Sequence, residues 1–172
     1  MLSRPLSLRG LLPSDFNFLK SIENDVRLWH LSDTPGPFTD VELIDHIEEF
    51  RTASPDSSQR RFVLTDTLKT PIGFVDLYSV HPSQKHANVG IVIADGYRQQ
   101  GHGLQALKLL EITAFKQLKI NTLYAEVGID NSASIRLFQK AGFAQADTAT
   151  RMNIHKFALQ ECIYFQKKNT HV

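Results

Sequence analysis

Gly101-His102-Gly103 sits where a run of apolar residues ending at Ala94 gives way, through the polar loop Asp95 to Gln100, to an amphipathic stretch beginning near Gly103. Strand, tight loop, helix is an order that builds an anion site. The first amides of a helix have no intrahelical partners and lie at the positive end of its dipole, so a phosphate placed there meets donors already aimed at it. Glycine at 101 and 103 permits backbone angles closed to other residues and lets the main chain approach a ligand. An ordinary strand-to-helix turn without a ligand satisfies the same residues, and both readings stand at this level. Gly101-His-Gly103-Leu-Gln-Ala106 also fits the dinucleotide pattern G-x-G-x-x-G/A, with Glu126 some twenty residues downstream. Its context argues against that reading, because a charged loop precedes the first glycine and roughly half the chain precedes the loop. No Gly-Lys-Ser/Thr follows, so the stretch is not a P-loop.

The elements that must position this loop are legible from periodicity. Leu6 to Leu11 alternates as a strand, and Pro13-Ser14 starts a short helix carrying Phe16, Leu19 and Ile22. Asn24 to Phe38 reads as a loop by its breakers Pro35, Gly36 and Pro37. Thr39 with Glu42 forms a capping box for a second helix, whose Val41, Ile44 and Ile47 are predicted to face the core. Arg61 to Thr65 and Ile72 to Val80 read as an antiparallel hairpin turning at Leu68 to Pro71, and a third strand ends at Ala94. A long helix is expected from about Gly103 to Leu118, with Leu104, Leu107, Leu110, Ala114 and Phe115 on its apolar face. Thr122 to Ile129 is the next strand, and Asn131 or Ser132 caps a short helix that Gly142 stops after Lys140. Less distinct strands lie around Ala144 to Ile154 and Cys162 to Phe165. Strands and helices in this order predict an α/β (α+β) fold, a mixed sheet flanked by helices.

Composition bounds the partners. The 172 residues, 42% of them hydrophobic, suit one domain spanning 1–172. With 19 Lys plus Arg against 18 Asp plus Glu there is no global basic field to hold nucleic acid or an anionic membrane. The single cysteine, Cys162, excludes an internal disulfide and a thiolate metal cluster, which suits a reducing compartment and makes a cytoplasmic location the expectation. Seven histidines without metal-ligand spacing predict no metal. Neither a leader-like start nor eighteen consecutive apolar residues is found.

Arg98-Gln99-Gln100-Gly101-His102-Gly103 resembles the R/Q-x-x-G-x-G/A acetyl-CoA loop of the GNAT N-acetyltransferase superfamily. Asn131-Ser-Ala-Ser134-Ile135-Arg-Leu137-Phe138-Gln-Lys140-Ala-Gly142-Phe143 resembles the family's other signature, N-x-x-[SA]-x-x-[LF]-[YF]-x-[KR]-x-G-F, at the usual distance downstream. Together they cover about Val89 to Phe143, and the general type is that of ribosomal-protein-alanine and spermidine N-acetyltransferases. The resemblance implies a mostly antiparallel sheet of about six or seven strands with about four helices. It also implies acetyl-CoA as cosubstrate, and direct transfer to a primary amine of a polyamine, protein N-terminus or small molecule. Backbone groups of Val92, Ile93 and Ala94 would pair with the pantetheine arm, with an amide near Ala94 polarising the reacting carbonyl. Amides from Gln99, Gln100, Gly101, His102, Gly103 and Leu104 would hold the pyrophosphate. Asn131 and Ser134 would meet the cofactor arm, although helix capping and a surface hydroxyl are open alternatives for these two. A homodimer is kept open, and a non-catalytic acyl-CoA sensor is the rival reading.

An amine with a pKa of about 10.4 is neutral in only about one molecule per thousand near pH 7.4, a deficit of about 4 kcal/mol that a proton acceptor must offset. The resemblance implies Glu126 as that base, five residues before Asn131, with Asp76 and Tyr78 as alternatives and a merely exposed or ion-paired glutamate as the bland one. Phe138 departs from the pattern. Many relatives have tyrosine there to protonate the leaving thiolate, which leaves Tyr97, Tyr124 or water for that step. Glu23, Asp25, Asp33, Glu42, Asp45, Glu48 and Glu49 gather on the N-terminal helices and their loop, where they could attract a polyamine or simply be solvated.

Overall fold

The computed structural model describes residues 5–31, 36–146 and 161–170. Seven strands form one sheet in the order β1-β2-β3-β4-β5-β7-β6: β1 Ser7–Gly10, β2 Arg60–Thr65, β3 Pro71–His81, β4 His86–Ile93, β5 Thr122–Gly128, β6 Ala144–Gln145 and β7 Cys162–Lys168. Every neighbouring pair is antiparallel except β4 with β5, which are parallel. A parallel pair cannot be joined by a hairpin, and the crossover here is the glycine loop and the helix behind it. The β2–β3 hairpin turns where the sequence predicts, with Asp66 Oδ1 accepting from the amides of Leu68 and Thr70. Of the strand expected over 144–154, Ala144 and Gln145 form β6, and positions from 147 on lie outside the described residues.

Helices cover both faces. On one, α3 (His102–Glu111) and α4 (Ser132–Lys140) close a core of Leu107, Leu110, Leu123, Val127, Phe138 and Phe165, all nearly inaccessible. On the other, α1 (Phe16–Glu23) and α2 (Asp40–Thr52) pack Leu19, Leu43 and Ile47 on Val63 and Phe74. Two expectations shift. The helix after Gly103 keeps α geometry only to Glu111 and widens into a π turn over Ile112–Gln117, although Ala114 and Phe115 still reach the core. In α2 the inward stripe is Leu43, Ile47 and Phe50, while Val41 and Ile44 are 66% and 52% exposed. The expected and observed stripes share Ile47, and the one carrying leucine and phenylalanine buries more apolar area.

The capping box is present as predicted: Thr39 Oγ1 accepts from the Glu42 amide and Glu42 Oε2 accepts from the Thr39 amide. At α1 the expected start on Ser14 gives way to a 3-10 turn, Pro13–Asp15, organised by Asp15. Its buried carboxylate takes both Arg9 Nη groups at 2.7 Å and the Leu12 amide at 2.8 Å, tying β1 to α1. Burial opposes the charged form, but the bonds from Arg9 and Leu12 outweigh it and hold the carboxyl below its ordinary range. A depressed folded pKa contributes stability that is present above the unfolded value of about 3.9 and is lost as pH falls through the folded one. Asp15→Asn should therefore lose about 2–3 kcal/mol at pH 7 in urea unfolding. The gap from the parent should narrow progressively as the pH is lowered below 4.

Candidate active site

β4 and β5 are paired at only three positions, from His86↔Thr122 to Asn88↔Tyr124. Beyond these β4 runs on to Ile93 and β5 to Gly128 with no pairing between them. The two strands part into a wedge about 15 Å long at 3.3 Å per residue. Its walls are held on their outer sides, β4 by β3 as far as Gly73↔Ile93 and β5 by β7 as far as Gly128↔Cys162. The inner edge of β4 is thus an unpaired strand edge inside the fold, suited to an extended chain carrying amides.

Strand alternation decides which groups face this wedge. The Ala94 amide donates to the Ile72 carbonyl and the Ala94 carbonyl accepts from the Tyr97 amide, so residue 94 is engaged on the β3 side and in the turn. By the same alternation Val92 bonds toward Phe74, while Ile91 and Ile93 present their main chain to the wedge. Of Val92, Ile93 and Ala94, only Ile93 therefore turns its peptide groups to where a pantetheine arm would lie. The Ala94 amide, expected to polarise the reacting carbonyl, is already bonded to the Ile72 carbonyl. The close approach of β3 is made by Gly73, where a Cβ would stand 2.5 Å from the Val92 carbonyl.

The wedge opens toward the glycine loop. Gln99 and Gly101 have φ of 58° and 82°, and the alternation of left-handed and ordinary residues curls the amides of 99–101 toward the first turn of α3. The amides of His102, Gly103 and Leu104 follow; the ladder of α3 begins with the Gln105 amide on the Gly101 carbonyl. Gly101 has open space around its Cβ position, so its backbone angle alone requires glycine. At Gly103, whose φ is not positive, a Cβ would meet Leu137 Cδ2 at 3.1 Å. This glycine lets α3 lie close on α4. His102 Nδ1 donates to the Tyr97 carbonyl, and Arg98 bridges Asp95 and the Ile93 carbonyl. The side chains of Arg98, Gln100 and His102 brace the loop through main-chain carbonyls.

Glu126 is on β5 two residues past the last β4 pair, about 7 Å into the wedge. Leu123, Ala125 and Val127 point into the α3/α4 core, so Tyr124 and Glu126 point to the α1/α2 face. There Glu126 Oε1 accepts from the Tyr164 hydroxyl at 3.1 Å, directly across the β5–β7 pair. Asp76, the alternative base, is held by Arg61 through two bonds of 2.8 and 2.9 Å, and Arg61 also reaches Glu23 and His46. Burial disfavours that guanidinium charge, but Asp76 and Glu23 outweigh it and keep Arg61 protonated; burial and then Arg61 lower the His46 pKa. Tyr78 is on the same face, near the gap left by Gly90. Asn131 caps α4, its Oδ1 accepting from the Ser134 amide, so the capping role assigned as an alternative is met. Phe138 is 3% exposed, edge-on to Phe143 and stacked with Phe165. Tyr97 packs on the α3/α4 side, whereas Tyr124 stands at the wedge apex on the acceptor face.

Sequence reasoning missed Arg61 and Tyr164. Arg61 carries a visible charge within a strand pattern, a signal for a buried ion pair, but Tyr164 lies 38 residues from Glu126 and no spacing rule links them. The acidic N-terminal group is also largely neutralised. Glu23 pairs with Arg61, Asp25 with Arg27, Glu48 with Arg51, and Glu42 serves the cap. Asp45 and Glu49 are exposed, and Asp33 lies outside the described residues. Among the described residues no helix is long and apolar enough to cross a membrane, and no cluster of His, Cys, Asp and Glu is suited to a metal.

The sequence profile of the acetyltransferase (GNAT) domain matches residues 6–144. Spermidine N(1)-acetyltransferase of Vibrio cholerae is 25% identical over 142 residues, 81% of this chain and 79% of that one. An N-acetyltransferase 9-like protein of Nematostella vectensis is 32% identical over 80 residues, 45% of this chain and 40% of that one. Among solved structures, spermidine N-acetyltransferase from Vibrio cholerae in complex with CoA and spermine superposes with a TM-score of 0.82 at 21% identity, covering 95% of each chain. The chain belongs to the GNAT family as an acetyl-CoA-dependent N-acetyltransferase that acts on an amine.

Proposed function

We propose that this N-acetyltransferase acts on a primary amine entering from the α1/α2 face, with Glu126 as the proton acceptor. The observation that carries the reading is the place of Glu126, the first β5 residue on that face beyond the point where β4 and β5 part. The thioester of acetyl-CoA supplies the electrophile. Peptide groups of Ile91 and the amide of Ile93, whose carbonyl accepts from Arg98, hold the pantetheine arm along β4, and the amides from Gln99 to Leu104 hold the pyrophosphate. Asn131 orients the start of α4 beside the wedge, with Ser134 receiving its cap. Glu126 takes the ammonium proton, offsetting part of the roughly 4 kcal/mol needed to present a neutral amine. The leaving thiol, with an ordinary pKa near 8.5, is a tolerable leaving group, and Tyr124 stands at the apex on the same face as Glu126.

A polyamine is the first acceptor to assay, because the Vibrio cholerae relatives are spermidine N-acetyltransferases and Asp45 and Glu49 remain exposed on α2. Internal pairing of Glu23, Asp25 and Glu48 lowers the negative potential available to a long polycation, so short amines and N-terminal peptides belong in the same panel. The single cysteine fits a cytoplasmic enzyme. One Vibrio cholerae relative has been solved as a dodecamer, and self-association of this chain is part of the proposal.

Calorimetry should detect acetyl-CoA binding, and no binding would refute the assigned wedge and loop. Gly101→Ala forces a left-handed alanine at a cost of roughly 1–2 kcal/mol and should weaken that binding about tenfold. Gly96→Ala, with open space and no positive φ, is the matched control and should bind as the parent does. Glu126→Gln should lower kcat by about 10² to 10⁴ with any accepted amine and remove the acidic limb of the pH profile. A variant with an unchanged rate and profile would remove Glu126 from the mechanism.

A further inference from the structure

We infer that Tyr164 is a positioning residue for the base, holding the Glu126 carboxylate at the wedge through its hydroxyl. The inference rests on the assignment of Glu126 above. Tyr164 and Glu126 are register partners on β7 and β5, so their side chains leave the sheet on the same face. The hydroxyl donates to Oε1 at 3.1 Å, and the ring is only 6% exposed. A glutamate has three rotatable bonds, and a bond from a buried phenol narrows the positions its carboxylate samples. Tyr164 and Phe165 differ by one strand position and opposite faces. Phe165 packs in the α3/α4 core against Phe138, which anchors β7 in the register that sets Tyr164 opposite Glu126.

The bond has an electrostatic consequence as well. A hydroxyl that donates to a carboxylate favours its charged form, which is the form that accepts a proton. The other titratable groups on this face are arranged away from that bond. Asp76 on β3 is engaged by Arg61, as is Glu23 of α1, with His46 of α2 beside them. His86 on β4 lies against His81 and Tyr124, at the level of Thr122, two positions before Tyr124 and four before Glu126. Among the described residues Tyr78 on β3, Cys162 and Lys168 on β7, and the exposed Asp45 and Glu49 of α2 also belong to this face. Tyr164 is the partner bonded to Glu126 across the strand pair, so its removal should be read at Glu126 first.

Tyr164→Phe in the full chain tests this. The expected result is a kcat lower by about tenfold, an unchanged KM for acetyl-CoA, and an acidic limb of kcat/KM displaced to higher pH. In the Glu126→Gln background the same change should have no further effect. If Glu126→Gln is slow but Tyr164→Phe keeps the parent rate and profile, the positioning role is refuted while the base assignment stands. If Glu126→Gln itself keeps the parent rate and profile, both fall. Should Tyr164→Phe fail to fold, the unmodified protein carrying a 13Cζ label at Tyr164 supplies the readout. Its shift should follow the titration of the acidic limb, and a pH-independent shift would overturn the inference.

Discussion

The parting of β4 from β5 is the constraint from which the rest of this site follows. Antiparallel neighbours can stay bonded along their whole length, but these two strands are parallel and are joined through a loop and helix that must fit beside them. After Asn88 and Tyr124 the strands diverge, and each is kept straight by its outer neighbour. An unpaired inner edge normally invites aggregation or solvent. Here it lies inside the fold, beside the first turn of α3, where a ligand rich in amides and phosphates finds partners for both.

Around that opening the two faces of the sheet divide the work. The α3/α4 face is mostly apolar, with the Lys167–Glu111 pair at its margin, and Phe138, where many relatives have tyrosine, is part of the core packing with Phe143 and Phe165. The α1/α2 face is apolar near Val63 and Phe74 and becomes polar toward the wedge, through Arg61, Asp76, Asn88, Tyr124 and Glu126. The buried guanidinium of Arg61 sits over the rings of Phe50 and Phe74 and draws two carboxylates onto itself. Glu126, nearer the wedge, accepts a bond from the Tyr164 hydroxyl.

The loop that resembles the cofactor signature owes its shape to fewer residues than its pattern suggests. Gly101 has a left-handed backbone angle, whereas Gly103 packs closely on Leu137 of the neighbouring helix. Arg98 reaches back to the Ile93 carbonyl and to Asp95, and Asp95 in turn meets Arg27 from the segment after α1. The cofactor loop and the acceptor side are thereby linked by a chain of charge pairs, exposed and individually weak.

The amino-acid sequence by itself determined the kind of protein this is. Alternation and helical periodicity located the strands and helices, the Thr39–Glu42 box and Gly142 marked helix ends, and two local signatures identified the donor. All of these depend on residues within a few positions of one another, where backbone geometry alone relates them. The tertiary structure decided what lies between distant residues. It selected the Leu43, Ile47 and Phe50 stripe of α2 over its neighbour, because only packing against Val63 and Phe74 distinguishes the two. It turned Ile93 and not Ala94 to the wedge, because the partner strand sets which peptide groups are engaged. It brought Tyr164 to Glu126 and Arg61 to Asp76 and Glu23, since strand register, which no local spacing encodes, fixes who stands opposite whom.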